Sequence, residues 1–144
     1  METTAKDFAS EAAVADNAEK TTDVYGYQAF QILRFAFTVA PIVAGVDKFF
    51  HLLTDWDKYL SPFANQILGG NGHIFMRVIG VIEIIAGIGV FLKPKIFAYI
   101  IGVWLLLIIV NLLTIPDYYD VALRDLGLSL GAFALARLSH KFAK

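Results

Sequence analysis

The sequence predicts an all-α integral membrane protein: an antiparallel bundle of four transmembrane helices, with a short amphipathic helical connection between spans one and two. Three observations predict it. Of the 144 residues, 58% are hydrophobic and only 17% charged, with a mean hydropathy of +0.63, which is more apolar surface than one soluble core of this length would use. The excess is gathered into runs near the ~20 residues that cross a bilayer as a helix. Turn chemistry separates the runs, at Gly69-Gly70-Asn71-Gly72, Lys93-Pro94-Lys95 and Pro116-Asp117.

Composition also excludes whole classes of function. A net charge of -1 without a strongly basic segment makes nucleic acid an unexpected partner. The chain has no cysteine, which removes disulfide exchange, thiolate catalysis and cysteine-ligated zinc or iron-sulfur centres. Residues 1–28 are polar and Ala-rich, with six carboxylates from Glu2 to Asp23 against Lys6 and Lys20. They lack the apolar core of a signal peptide and are expected to form a mobile or partly helical cytoplasmic tail.

The first span is predicted over about 29–53. Arg34 lies near its start as an interfacial anchor, and Pro41 withholds one backbone donor at mid-span. Its far end reads Gly45-Val46-Asp47-Lys48-Phe49-Phe50-His51, where Asp47 and His51 fall on one face and Lys48 about 100° away. The connection, Thr54 to Gly72, offers Thr54 with Asp57 as a capping box and Ser61-Pro62 as a second helix start. Trp56, Tyr59, Leu60, Phe63 and Ile67 recur at helical spacing, as in surface helices lying over a bundle mouth.

Span two, about 73–92, carries Glu83 near its middle, with Gly80, Ile84 and Gly87 on the same face and Arg77 at the edge of that face. A carboxylate at that depth costs at least ~2.5 kcal/mol and is expected to have a partner. Small residues beside it let a second helix approach closely. Span three, about 96–115, is apolar apart from Asn111, which is suited to interhelical hydrogen bonding or, less readily, to a ligand contact. Span four, about 121–138, opens with Arg124-Asp125 and carries a small-residue stripe of Gly127, Gly131 and Ala134. A basic cytoplasmic tail, 139–144, ends the chain.

Four spans put both termini and the Lys93–Lys95 turn on one side, and the lysines and arginines concentrated there make it cytoplasmic, as in a bacterial inner membrane protein. Depth then follows from about 1.5 Å per residue. Asp47, Lys48 and His51 end span one on the outer side, Arg77 begins span two there, and Glu83 lies below them. Asn111 lies late in span three, while Arg124 and Asp125 begin span four. All four helices therefore bring polar groups into the outer half. They are expected to form either a polar chamber under an aromatic lid or a purely structural network that fixes helix docking. Arg77 and Arg124 have the forked donors that suit an anionic or carbonyl ligand, and Glu83 is the proton-linked candidate.

The chain resembles the DoxX family of small four-helix membrane proteins over about Ile32 to Leu138. The resemblance is carried by Gly45-Val46-Asp47-Lys48-Phe49, by Glu83 with Ala86-Gly87-Ile88-Gly89, and by Leu123-Arg124-Asp125-Leu126. It implies that Lys48, Glu83, Arg124 and Asp125 occupy the family's polar positions. It also implies a membrane subunit of a redox assembly, since some members serve sulfur-oxidising quinone oxidoreductases and others join soluble enzymes of oxidative stress.

The expected function is thus a membrane oxidoreductase subunit that receives quinone or a small polar or anionic substrate. The alternatives are a non-enzymatic scaffold for a larger complex and a small oligomeric transporter. Expected partners are the lipid bilayer and either other subunits or further copies of the chain. No covalently held cofactor and no metal ligand set is expected. Haem is not expected, because interfacial histidines such as His51 and His73 are usually just solvated. Orientation is testable in this cysteine-free chain: with cysteine at position 58 or 93, an impermeant maleimide added outside is expected to label Lys58→Cys and spare Lys93→Cys. Outward labelling at position 93 overturns the orientation.

Overall fold

One helix, α1 (Glu2–Phe50), carries both the polar tail and the first apolar run without a break. The computed structural model describes residues 2–144, with side chains from residue 4 onward, and is all-helical, with no strand among the described residues. The tail expected to be mobile or partly helical is therefore helical from Glu2, while Met1 lies outside the described residues. Alanine and other strong helix formers fill it, no glycine or proline occurs before Gly26, and Lys20 pairs with Asp16 one turn earlier at 2.6 Å.

α1 stops at Phe50, short of the predicted residue 53, because His51 adopts φ 54°. A left-handed residue after the last helical turn is a common way to end a helix, and the His51 amide still donates to the Asp47 carbonyl at 2.7 Å. A short 3-10 turn follows at Trp56–Tyr59. Asp55, rather than Thr54, caps it by accepting from the Asp57 amide at 3.2 Å. The helix α2 (Pro62–Ile67) begins where Ser61-Pro62 predicts, the Ser61 hydroxyl accepting from the Ala64 amide at 3.1 Å. Gly69 and Gly70, at φ 64° and 80°, then reverse the chain into α3 (Gly72–Leu92). Lys93 alone separates α3 from α4 (Pro94–Leu113), and a second 3-10 turn at Pro116–Tyr118 leads into α5 (Tyr119–Phe142).

Residue pairings give the helix directions. Gly45 of α1 lies against Gly80 and Ile84 of α3, while Thr38 and Ile42 lie against Gly87, so these two helices run oppositely. Gly26 and Phe37 of α1 meet Phe142 and Gly131 of α5, again in reverse order. On α4, Gly102 meets Phe133, and Tyr99 packs against Phe133 and His140 of α5. Around the α3–α4 turn the interior is apolar, built from Phe30, Phe37, Val90, Ala98, Ile101 and Leu135 with neighbouring alanines. Arg34 anchors that end by donating to the Phe91 carbonyl, its guanidinium 5.2 Å from the Phe91 ring centre.

Three helices, α1, α3 and α4, contain stretches long and apolar enough to cross a membrane. Their outward faces are apolar too, with Ile32, Phe35, Ile85, Phe91, Leu107 and Val110 exposed, which suggests an integral membrane protein in a lipid environment. α5 does not reach that apolarity, because Asp120, Arg124, Asp125, Arg137 and Lys141 fall within its 24 residues. Its packing stripe only partly follows the predicted one, since Gly131 meets Phe37. Gly127 meets nothing within 4 Å, whereas Ala122, Ser129, Ala132 and Ala136 are buried, and the Ser129 hydroxyl donates to the Gly102 carbonyl at 2.9 Å. α5 has small residues on adjacent faces, and only packing selects between them.

The backbones of α1 and α3 approach closely at Gly45 and Gly80, where a Cβ on Gly80 would lie 2.7 Å from the Gly45 carbonyl oxygen and 3.1 Å from the Lys48 Cβ. A backbone oxygen does not move aside cheaply. Gly45→Ala and Gly80→Ala are therefore expected to cost about 1–3 kcal/mol each and to lower the thermal midpoint in detergent. Gly127→Ala is expected to leave the midpoint equal or higher. Equal losses at all three positions would contradict this account of the α1–α3 contact.

Candidate functional site

At the Gly45–Gly80 contact two charged side chains leave the end of α1 in different directions. Asp47 and Lys48 are adjacent, about 100° apart on the helix, yet both are buried, at 5% and 3% exposure. They are buried by different neighbours. Lys48 points at α3, where its Nζ donates to Glu83 Oε2 at 2.6 Å, and the Glu83 side chain is only 13% exposed. The ammonium also lies 3.8 Å from the centre of the Trp56 ring, so an indole face covers the side of the pair toward the connection.

Asp47 turns toward the connection and holds it down. Its carboxylate accepts from the amides of Leu52 and Leu53, at 2.9 and 3.0 Å, and from the Trp56 indole N–H at 2.7 Å. Trp56 is thus fixed twice, through its N–H to Asp47 and through its ring to Lys48. Farther along, the Asn111 amide of α4 donates to the Tyr59 carbonyl at 2.7 Å, and its oxygen accepts from the Ser61 amide at 3.2 Å. Asn111 therefore fastens the connection to α4. Tyr59 closes the same edge by packing against Tyr118, ring centres 4.9 Å apart.

The predicted residues divide into three groups. Asp47, Lys48, Glu83 and Asn111 contribute to the buried network or its cover, and Asp125 of α5 is buried within electrostatic reach of Glu83. Arg77 is exposed and Arg124 has 68% of its side chain exposed, with its Nε 3.8 Å from Asp125 Oδ1. His51 leaves the Asp47 face when the helix ends. Its ring instead stacks on His73 at the start of α3, centres 5.8 Å apart and planes within 13°.

Sequence reasoning passed over two participants here. Trp56, read as one residue of an amphipathic stripe, covers the ion pair. Asp57 meets His73, its Oδ2 lying 2.6 Å from His73 Nδ1. His51, Asp57 and His73 each offer a ligand atom, and these atoms all lie within 4.8 Å of one another, close enough to converge on one ion. Their separation along the chain, across a glycine turn, hides the grouping. The arrangement as a whole offers a shielded ammonium with further donor capacity, a carboxylate partner, and an aromatic cover carried on a connection. No family model, curated protein or solved structure matches this chain.

Removing one member of a buried ion pair strands the other charge and costs about 3–5 kcal/mol, whereas apolar replacement of both members is often neutral or stabilising. Lys48→Met and Glu83→Met are each expected to lose that amount in unfolding measurements, and the double variant less than either. Additive losses in this cycle would show that the two groups are not coupled.

Proposed function

We propose that the chain is a four-span membrane subunit of an oxidoreductase assembly, and that a quinone or a small polar or anionic substrate docks at the Lys48–Glu83 pair beneath Trp56. The buried pair carries this reading. A pair of this kind is weak evidence for stability, since well-packed apolar residues serve as well or better. Ionisable groups inside membrane segments characteristically mark substrate, ion or proton sites. A lysine ammonium has three donors, and Lys48 gives one to Glu83, which leaves capacity for a carbonyl or carboxylate oxygen once the indole moves. Trp56 belongs to a four-residue 3-10 turn with no buried residue, so its displacement breaks its contacts with Asp47 and Lys48 without opening a helix core.

In this reading α5 is the fourth span and both termini are cytoplasmic. The polar ends of α5 lie near the two membrane surfaces, with Arg124 and Asp125 toward the outside and Arg137 and Lys141 toward the cytoplasm. The resemblance to DoxX proteins supports the redox setting, and the subunit's work is argued from the site itself, because fold analogy does not transfer activity. A second reading, that of a non-enzymatic scaffold, is favoured by one observation: Asp47, Lys48, Glu83 and Trp56 already satisfy one another.

Trp56 distinguishes the two. With Trp104→Phe as background, Trp56 is the remaining tryptophan. Decylubiquinone is then expected to quench its fluorescence saturably, and the Lys48→Met/Glu83→Met variant is expected to lose the saturable component. Absent saturation, or identical curves for the two proteins, would leave the scaffold reading in place.

A further inference from the structure

We propose that His51, Asp57 and His73 bind a divalent transition-metal cation at the rim of the helices, a site separate from the Lys48–Glu83 pair. One nitrogen from each imidazole and one carboxylate oxygen lie within 4.8 Å of one another. A tetrahedral ion with bonds of about 2.1 Å places its ligand atoms about 3.4 Å apart, so the widest separation in the set has to close by up to about 1.4 Å. All three residues have room to do so. His73 has 49% and Asp57 37% of its side chain exposed, and His51 is half-buried just beyond the last turn of α1.

A second observation points the same way. Asp57 Oδ2 meets His73 Nδ1 at 2.6 Å, while Asp57 Oδ1 is buried with no hydrogen-bond partner. A carboxylate oxygen out of water with both lone pairs unused is an acceptor lacking its donor or cation. The backbone serves the cluster as well: His51 is the one non-glycine residue with positive φ among the described residues, and that conformation accompanies the swing of its ring onto His73.

The donor set selects the ion. Two imidazoles and a carboxylate suit zinc and its first-row neighbours, whereas magnesium and calcium prefer oxygen-only ligands. Three protein ligands leave a coordination position for water. The bound ion would tie the connection, through His51 and Asp57, to the first turn of α3, through His73.

The test is a calorimetric titration of the full-length protein, purified in mild detergent on a histidine-free tag, with Zn2+ and separately with Mg2+. One Zn2+ per chain is expected, with a raised thermal midpoint, and no saturable Mg2+ binding. His51→Asn keeps a residue that tolerates the left-handed conformation. With His73→Ala and Asp57→Asn, it is expected to weaken Zn2+ binding at least tenfold while retaining the parent's helical circular dichroism in EDTA. Co2+ provides an independent readout, with visible d–d bands expected in the parent and lost in His73→Ala. His140→Ala is the control and is expected to bind as the parent does. Absence of saturable Zn2+ binding, or binding unchanged in His51→Asn and His73→Ala, would overturn the site whatever the quinone titration shows.

Discussion

The contact between Lys48 and Glu83 is the constraint around which the rest of the upper structure is arranged. Taking an ammonium and a carboxylate out of water costs several kcal/mol for each ion, and only close, well-satisfied geometry repays it. The 2.6 Å contact lies where α1 and α3 pack closely against one another. Gly45 and Gly80 permit that approach, because neither has a Cβ to hold the backbones apart. The ion pair and the glycine contact are neighbours, each charged residue lying three positions after the glycine of its own helix.

The connection between α1 and α3 follows from the same requirement. Lys48 cannot remain unhydrated unless something covers it, and the Trp56 ring does so. Trp56 in turn needs a partner for its indole N–H, which Asp47 supplies while also accepting from the Leu52 and Leu53 amides just past the end of α1. One carboxylate thus ends a helix, positions a cover and allows the adjacent lysine to stay buried. Asn111 completes the closure from α4, since a loop held only at its α1 end would be free to swing at Tyr59 and Ser61.

The two halves of the molecule differ as their chemistry requires. Around the α3–α4 turn, Phe30, Phe37, Val90 and Leu135 interlock with alanines in an apolar interior. At the other end, polar side chains satisfy one another or reach outward, as Arg77 and Arg124 do. Long arginine side chains near helix ends place their charge in water or headgroups at little cost, so Arg77 and Arg124 stay largely exposed, Arg124 with Asp125 beside it at 3.8 Å.

Much of this was legible in the residues alone. Apolar runs of spanning length and the proline and glycine punctuation between them located α3, α4 and α5 and the end of α1 to within a few residues, because a chain in lipid must satisfy its backbone hydrogen bonds within each segment, but they did not show that α1 already begins at Glu2 in the polar tail. The helical wheel put Gly80, Glu83 and Gly87 on one face, and depth put Asp47, Lys48 and Asn111 at one end, since both depend only on a fixed rise and turn per residue. Tertiary structure decided what those rules do not contain. Whether Lys48 or an arginine answers Glu83, whether Asn111 holds a helix or a loop, and whether His51 stays with Asp47 or joins His73 depend on where α1 ends and how the connection folds back. Those outcomes come from contacts between residues far apart in the chain, and no local periodicity encodes them.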